Sequence, residues 1–323
     1  LADPTAIEWI VSVTAMTAGA VLLMWLGELI TEQGIGNGIS LLIFAGIISQ
    51  LPTILSTITS SLFNTEAGGL EVFNWFTIPV NPLVFWVTLA IVIVSLAMLY
   101  FLVKINEAQR VITINYAKRV QGNSSYGGVK SILPIKLIAA GVIPVIFAVA
   151  FLSLPAFIGQ ILKATGNPAY AALADNLILW FQAPNPGAFT GTEWQAFIYP
   201  GIYFILVIFF TYFYTGIVFN ANEIAENLQK QGGFIEGVRP GKTTEKYLST
   251  TVNRLILFGS VVLGLIAVSP FVAEYMLYQF AGITGTNLSI GGTGLLIVVT
   301  VALEALRQIN SRALMVTYDD YDN

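Results

Sequence analysis

Residues 237–244 read GVRPGKTT, and two incompatible architectures follow from how this stretch is taken. As a phosphate cradle it would need G-x-x-x-x-G-K-[ST] on a strand-to-helix turn, so that successive backbone N–H groups wrap a phosphate within an α/β sheet. Gly237 and Gly241 instead enclose only Val238, Arg239 and Pro240, and Pro240 has no N–H to give. One position earlier stands Glu236, whose carboxylate would repel a phosphate. No strand of an α/β sheet precedes it. The stretch is a turn-rich connection that exposes Arg239 between Gly and Pro, and the long apolar runs on either side decide the fold.

Those runs dominate the chain. Of 323 residues 56% are hydrophobic and 10% charged, with a mean hydropathy of +0.77, where a soluble domain carries about 25% charged residues. Apolar runs near 9–27, 39–55, 83–103, 132–162, 197–219, 255–271 and 291–306 approach the roughly 20 residues that cross a bilayer. The expected fold is all-α, a polytopic transmembrane helix bundle. Pro144 and Pro155 interrupt the fourth run, and Pro52 and Pro270 lie near the outer ends of the second and sixth, where they permit bends.

The basic residues orient these spans. Lys104, Arg110, Lys118, Arg119, Lys130 and Lys136 lie in or beside the third connection. Lys230, Arg239, Lys242, Lys246 and Arg254 lie in or beside the fifth, and Arg307 and Arg312 follow the last run. Only Lys163 falls in a connection of the other parity. Basic flanks stay cytoplasmic, so the third and fifth connections face the cytosol. The connection 56–82, with Glu66 and Glu71 and no Lys or Arg, is external. Seven crossings then place Leu1 outside with no signal segment to carry it there, and the expectation is that earlier spans precede it. The expected division is spans within 1–58, an external loop at 59–82, spans within 83–310 with cytoplasmic loops at 104–134 and 220–254, and a cytoplasmic tail at 311–323.

Composition excludes several function classes. Without Cys or His there are no disulfides, zinc sites, histidine-based nucleophile pairs or histidine pH switches. Asp3, Asp175, Asp319, Asp320 and Asp322 all fall outside the mid-membrane, so an intramembrane aspartyl protease is excluded. Glu28, Glu32 and Glu304 lie toward cytoplasmic ends, whereas an ion-coupled carrier usually buries a carboxylate near the midplane. Glu304 and Arg307, three apart, can pair on one helix face. No catalytic residue, metal site or cofactor is expected. The two cytoplasmic connections are basic projections suited to an acidic partner such as an RNA surface or an acidic protein groove. The third carries ITINY, alternating like a strand, before Lys118 and Arg119.

WLGELITEQGIGNGISLLIFAGI (25–47) resembles the SecY family, the pore subunit of the bacterial Sec protein translocase. The likeness continues at EAQRVITINYAKR (107–119), LPIKLIAAGVIPVIFA (133–148), FTYFYTGIVFNANEIAENLQKQGGFIEGVRPG (210–241) and GGTGLLIVVTVALEALRQI (291–309), in family order and spacing. It implies a SecY-like translocon channel, incomplete at the N-terminus, whose runs correspond to spans four to ten of ten. It further implies a bacterial plasma-membrane channel that passes unfolded secretory chains and inserts membrane proteins. The implied partners are SecE and SecG, the SecA motor, the ribosome, signal peptides and nascent chains, and lipid, but not DNA.

By this resemblance Ile39, Ile43, Ile143, Ile146 and Ile297 match an aliphatic pore constriction. Such a collar dewets and blocks ions without hydrogen-bonding a peptide in transit. Arg110, Lys118, Arg119, Arg239 and Lys242 match the basic positions that meet SecA or the ribosome, and Ile138 and Leu154 match the lateral gate. Ile138 stands where the family has asparagine, Val111 where it has a second arginine, and Thr113, Ala221 and Glu236 where it has prolines. These departures leave a gate polar cluster in doubt, lower the first loop's charge and loosen both loops. Two other classes remain open: a secondary transporter of a small solute and a membrane-protein insertase.

Overall fold

The computed structural model describes residues 6–34, 36–63, 70–72, 76–116, 119–121, 124–126, 130–138, 141–164, 167–182, 194–281 and 292–319. Helices dominate: α1 (Ala6–Glu32), α2 (Gly38–Ile48), α3 (Leu51–Leu62), α4 (Pro82–Glu107), α5 (Ile143–Ala164), α6 (Pro168–Phe181), α7 (Ile198–Val218), α8 (Ala221–Lys230), α9 (Lys242–Ala281) and α10 (Gly292–Asp319). An apolar run in hydrocarbon must satisfy its own backbone polar groups, which a helix does within one segment. Six stretches among the described residues are long and apolar enough to cross a membrane: Ile10–Glu32, Gly38–Ser60, Val84–Glu107, Ile143–Ala164, Ile198–Lys230 and Lys242–Ala273. The seventh expected run, 291–306, coincides with the first half of α10, and residue 291 lies outside the described residues.

Two compact units form. One comprises residues 1–85 and 294–323, the other residues 86–293. In the first, α1 and α2 meet where Gly27 and Gly38 touch backbone to backbone, so closely that a Cβ on Gly38 would overlap the Gly27 carbonyl. Thr31 Oγ1 ties the turn, donating to the Gly27 carbonyl at 2.8 Å and accepting from the Gly38 N–H at 2.9 Å. Asn37 caps α2 by accepting from the Ser40 N–H at 3.1 Å. The expected run 39–55 is divided into α2 and α3. Pro52 lacks an N–H and its ring would press on the carbonyl four residues back, at Ile48, where α2 ends.

In the second unit, α5 packs on α6 and α7, and α7 on α9. Tyr199 and Tyr203 of α7 set their rings edge-on to Phe271 of α9, with centroids 5.6 and 6.4 Å apart. Unanticipated from hydropathy is α6, an apolar helix too short to span, which lies against α5 with Asn167 as its cap. Lys163, the lone basic residue of its connection, pairs with Asp175 of α6 at 2.8 Å.

Short strands decorate the helical bundle, and one of them shortens the fourth expected span. β1 (Leu70–Val72) pairs with β2 (Phe76–Ile78), and β4 (Arg119–Gln121) with β5 (Ser124–Tyr126). The larger sheet has the order β6-β3-β7, antiparallel throughout, from β6 (Lys130–Lys136), β3 (Gln109–Tyr116) and β7 (Gly233–Ile235). The apolar ILPI of β6 reads in sequence as the start of a span that begins only at Ile143. The boundary expected at 134 therefore falls inside β6, while α4 reaches into the expected loop as far as Glu107. The loop expected at 220–254 is itself ordered, as α8, β7 and the first turns of α9.

A basic platform as candidate functional site

The third and fifth connections, separate projections in sequence, close around one core. β3 supplies Ile112, β6 Ile135 and β7 Ile235, and these bury against Leu248, Val252 and Ile256 on one face of α9. Alternation along β3 directs Ile112 and Ile114 inward and leaves Val111 and Thr113 exposed, as a pleated strand requires. Register joins the connections directly: Ile114 lies opposite Ile235 and Tyr116 opposite Gly233. A Cβ on Gly233 would come 3.0 Å from the Tyr116 ring, so a larger residue there would press on the paired strand. α8 closes the side of this core. Asn220 caps it at the Glu223 N–H, and Ala225 and Leu228 are buried.

From this base the 236–241 turn projects Arg239. Val238 N–H donates to the Ile235 carbonyl at 3.0 Å, and Gly237 and Gly241 take φ of 79° and 98°, a region that other residues avoid. Buried Thr244 donates its hydroxyl to the Arg239 carbonyl at 2.9 Å. The backbone at Arg239 is thus pinned while its side chain stays exposed. The residue after the apparent Gly-Lys-Thr signature is the anchor of the turn, a role no spacing rule would have picked out. Lys242 is exposed as the first residue of α9, at the helix end where a cation is electrostatically disfavoured. Helix stability does not explain its presence.

The remaining expected contact residues divide. Arg110 is exposed on β3, opposite Ile135. Arg119 lies in β4 with its side chain outside the described set, and Lys118 lies outside the described residues altogether. Lys130 and Lys136, at the two ends of β6, are exposed on the same sheet, though sequence reasoning placed them only by parity. Val111 is 49% exposed, so the arginine missing there is a charge lost from the surface. Ala221 is the first residue of α8, a position that proline suits.

Of the expected constriction residues, Ile39 and Ile43 lie one turn apart on α2 and share the first unit with Ile297 on α10. A side chain added at Gly294, one turn before Ile297, would lie 3.6 Å from Ile47 of α2. Ile143 and Ile146 lie one turn apart on α5 in the second unit, both half-buried. Of the gate pair, Ile138 sits in the turn after β6, not in a span. Leu154 is exposed on α5 and lines a cavity of about 470 Å³ with Phe157 and Tyr199. Among the described residues no group of His, Cys, Asp and Glu could hold a metal ion. Lys163 pairs with Asp175 and Lys230 with Glu226, and among the described residues no ion pair joins Glu304 to Arg307.

The SecY family model matches residues 2–306, nearly the whole chain. The chain belongs to the SecY family. It is 42% identical over 319 residues to the protein translocase subunit SecY of Corynebacterium glutamicum, covering 98% of this chain and 65% of that protein. The SecY of Thermotoga maritima is 38% identical over 312 residues, covering 97% and 61%. The chain thus spans a little under two thirds of the length of these relatives. A solved SecY structure, described in terms of a plug domain that stabilises the closed channel, superposes with a TM-score of 0.56 at 22% identity, covering 90% of this chain and 64% of the other. A yeast Ssh1 complex bound to the 80S ribosome gives 0.52 at 16% identity, covering 95% and 66%. These likenesses establish the fold. With six membrane-crossing stretches, this SecY-family chain is a multi-pass membrane protein.

Proposed function

We propose that the protein is the pore-forming subunit of a protein-conducting channel in the bacterial plasma membrane, passing unfolded secretory chains and inserting membrane proteins. The observation that carries this reading is the platform, where two connections fold together to hold Arg239 at a pinned and exposed tip. In this reading Arg239, Lys242 and Arg110, with Lys118 and Arg119, receive SecA or the ribosome, and the nucleotide energy comes from that partner. The channel hydrolyses nothing. SecE and SecG complete the assembly, and signal peptides enter beside Leu154 and Ile138. Ile39, Ile43, Ile143, Ile146 and Ile297 form the apolar collar, which keeps ions out by dewetting.

Arg239→Glu, in the complete channel reconstituted in vesicles, is expected to abolish most motor-driven export while the protein still inserts and folds. Export at the unaltered rate would remove Arg239 from the docking surface. Joint replacement of Ile146 and Ile297 by glycine is expected to raise ion leakage, and unchanged conductance would remove them from the collar.

A further inference from the structure

Where α7 gives way to α8, beside the start of α9, lies a cavity of about 440 Å³. Glu245, Ser249 and Asn253 line it from α9, spaced four apart and so stacked on one helix face. Asn220 and Asn222 line it from the entry to α8. Gly216 and Ile217, in the last turn of α7, also line it, and the carbonyls of such a turn have no partner within their helix. The first turns of α8 and α9 bring N–H donors to one side, and acceptors gather on the other. A carboxylate and the negative end of a 21-residue helix dipole meet here. Among the described residues that line it there is no Lys or Arg, although both connections are rich in them. Among the described residues no ion pair involves Glu245.

The depth of the cavity is set by α9. Its 40 residues reach about 60 Å, twice the hydrocarbon core of a bilayer. Its polar first turns, with Lys242, Glu245, Lys246 and Arg254, therefore stand outside the lipid tails, and its apolar surface begins at Leu255. The cavity straddles that change along α9, from Glu245 and Ser249 in the polar turns to Ile256 in the apolar ones. That is headgroup depth.

We propose that this cavity binds the primary ammonium headgroup of a phosphatidylethanolamine-class lipid. The ammonium would donate hydrogen bonds to the Glu245 carboxylate and to the end of α7, and the amide N–H groups of Asn222 and Asn253 would donate to the lipid phosphate. The two charges of the zwitterion are thereby matched to an acceptor end and a donor rim. Choline has no N–H to give and is typically held by a cage of aromatic rings. Among the described lining residues Phe219 is the one aromatic. The selectivity follows from that difference. This inference requires only the membrane placement and is independent of the export role.

Lipid binding to the purified, detergent-solubilised complex, read by mass spectrometry of the intact protein, tests it with dioleoyl lipids. Phosphatidylethanolamine is expected to bind about tenfold more tightly than phosphatidylcholine or phosphatidylglycerol, and Glu245→Gln to remove that preference. Asn253→Lys, which places a cation at the rim, is expected to remove it as well and carries the test should the first variant not fold. Equal binding of the choline lipid, or a preference that survives in both folded variants, overturns the proposal. Competition by free ethanolamine as strong as by the lipid would make this a soluble-amine site and overturn the lipid assignment. Export by Glu245→Gln at the normal rate, with the lipid preference lost, would separate this site from the docking role of Arg239.

Discussion

Helices α1 and α9 are both long and apolar, yet they meet their surroundings in opposite ways. In an 18-residue apolar window of Ile10–Glu32 only 6% of residues are buried, against 44% in such a window of Lys242–Ala273. Ile10, Val13, Met16 and Leu22 of α1 are each more than half exposed, whereas Leu248, Leu263 and Ala267 of α9 are at most 1% exposed. Hydropathy treats the two alike because it registers the solvent a helix prefers. What divides them is small residues at close approach. α9 brings Gly259 against the Leu137 carbonyl and Gly264 against the ring of Phe204, while α1 makes its close approach at Gly27 and leaves Gly19 in open space. In hydrocarbon, where apolar contact between helices gains little over lipid, such tight backbone approaches carry much of the association. A methyl group added at Gly38, which faces Gly27, at Gly259 and at Gly19 turns the contrast into a ranked series.

The largest effect is expected at Gly38→Ala. The new Cβ would occupy the space of the Gly27 carbonyl oxygen, with the Gly27 Cα only 3.0 Å away, and neither backbone atom can rotate aside. Thr31, bonded to both glycines, would lose its bridge as the helices part. The cost is roughly 3 kcal/mol, at the upper end for overpacking. Thermal unfolding in detergent, followed by tryptophan fluorescence, checks it. A melting midpoint equal to that of the parent would mean that α1 and α2 do not meet at this junction.

Gly259→Ala should come next. Its Cβ would lie 2.5 Å from the Leu137 carbonyl oxygen, and the neighbouring Leu137 side chain, at 3.6 Å, leaves little room for a shift. The turn after β6 must then move off α9, at about 2 kcal/mol. Because Ile135 is buried in the same core as Leu248, the displacement should also loosen the platform. Faster amide exchange along β6 and β3 in this variant, without change in α5, would distinguish a local shift from general unfolding. Uniform exchange changes would count against the local reading.

The sequence revealed one half of this contrast. Seven apolar runs, the basic partition and the alternating ITINY of β3 were legible because hydropathy and period two are local signals. Arg239 at a turn tip was legible from Gly237, Pro240 and Gly241. The union of the two connections was not, since β7 is three residues long, too short to show a period, and its partner strand lies more than a hundred positions away. β6 was lost inside a span because ILPI is as apolar as the helix that follows it. Thr244 was invisible for another reason: a hydroxyl that pins a carbonyl five residues back has no sequence signature distinct from an ordinary helix start. The break between α2 and α3 could have been placed from Pro52, whose ring acts on the carbonyl four residues earlier. The aliphatic collar residues were named only through family likeness, because an isoleucine in a pore wall and one facing lipid are the same residue in the same pattern.

Gly19→Ala is expected to have the smallest effect and to be the sharpest control. Gly19 lies mid-helix in α1 with no atom within 4 Å of an added Cβ, so the methyl meets no protein neighbour in either direction of rotation. What remains is backbone propensity, which favours alanine over glycine in a helix interior by up to about 1 kcal/mol in water. Less of that survives in a membrane, where the unfolded alternative of a span is itself helical. The midpoint should therefore hold or rise slightly, by an amount equivalent to roughly 0.5 kcal/mol or less. A fall comparable to that of Gly259→Ala would show that the face of α1 around Gly19 is packed closely against something in the purified protein. The exposure of Val13, Met16 and Leu22 would then mark a covered surface, and the contrast between α1 and α9 would be one of partners supplied from different chains rather than of packing against lipid.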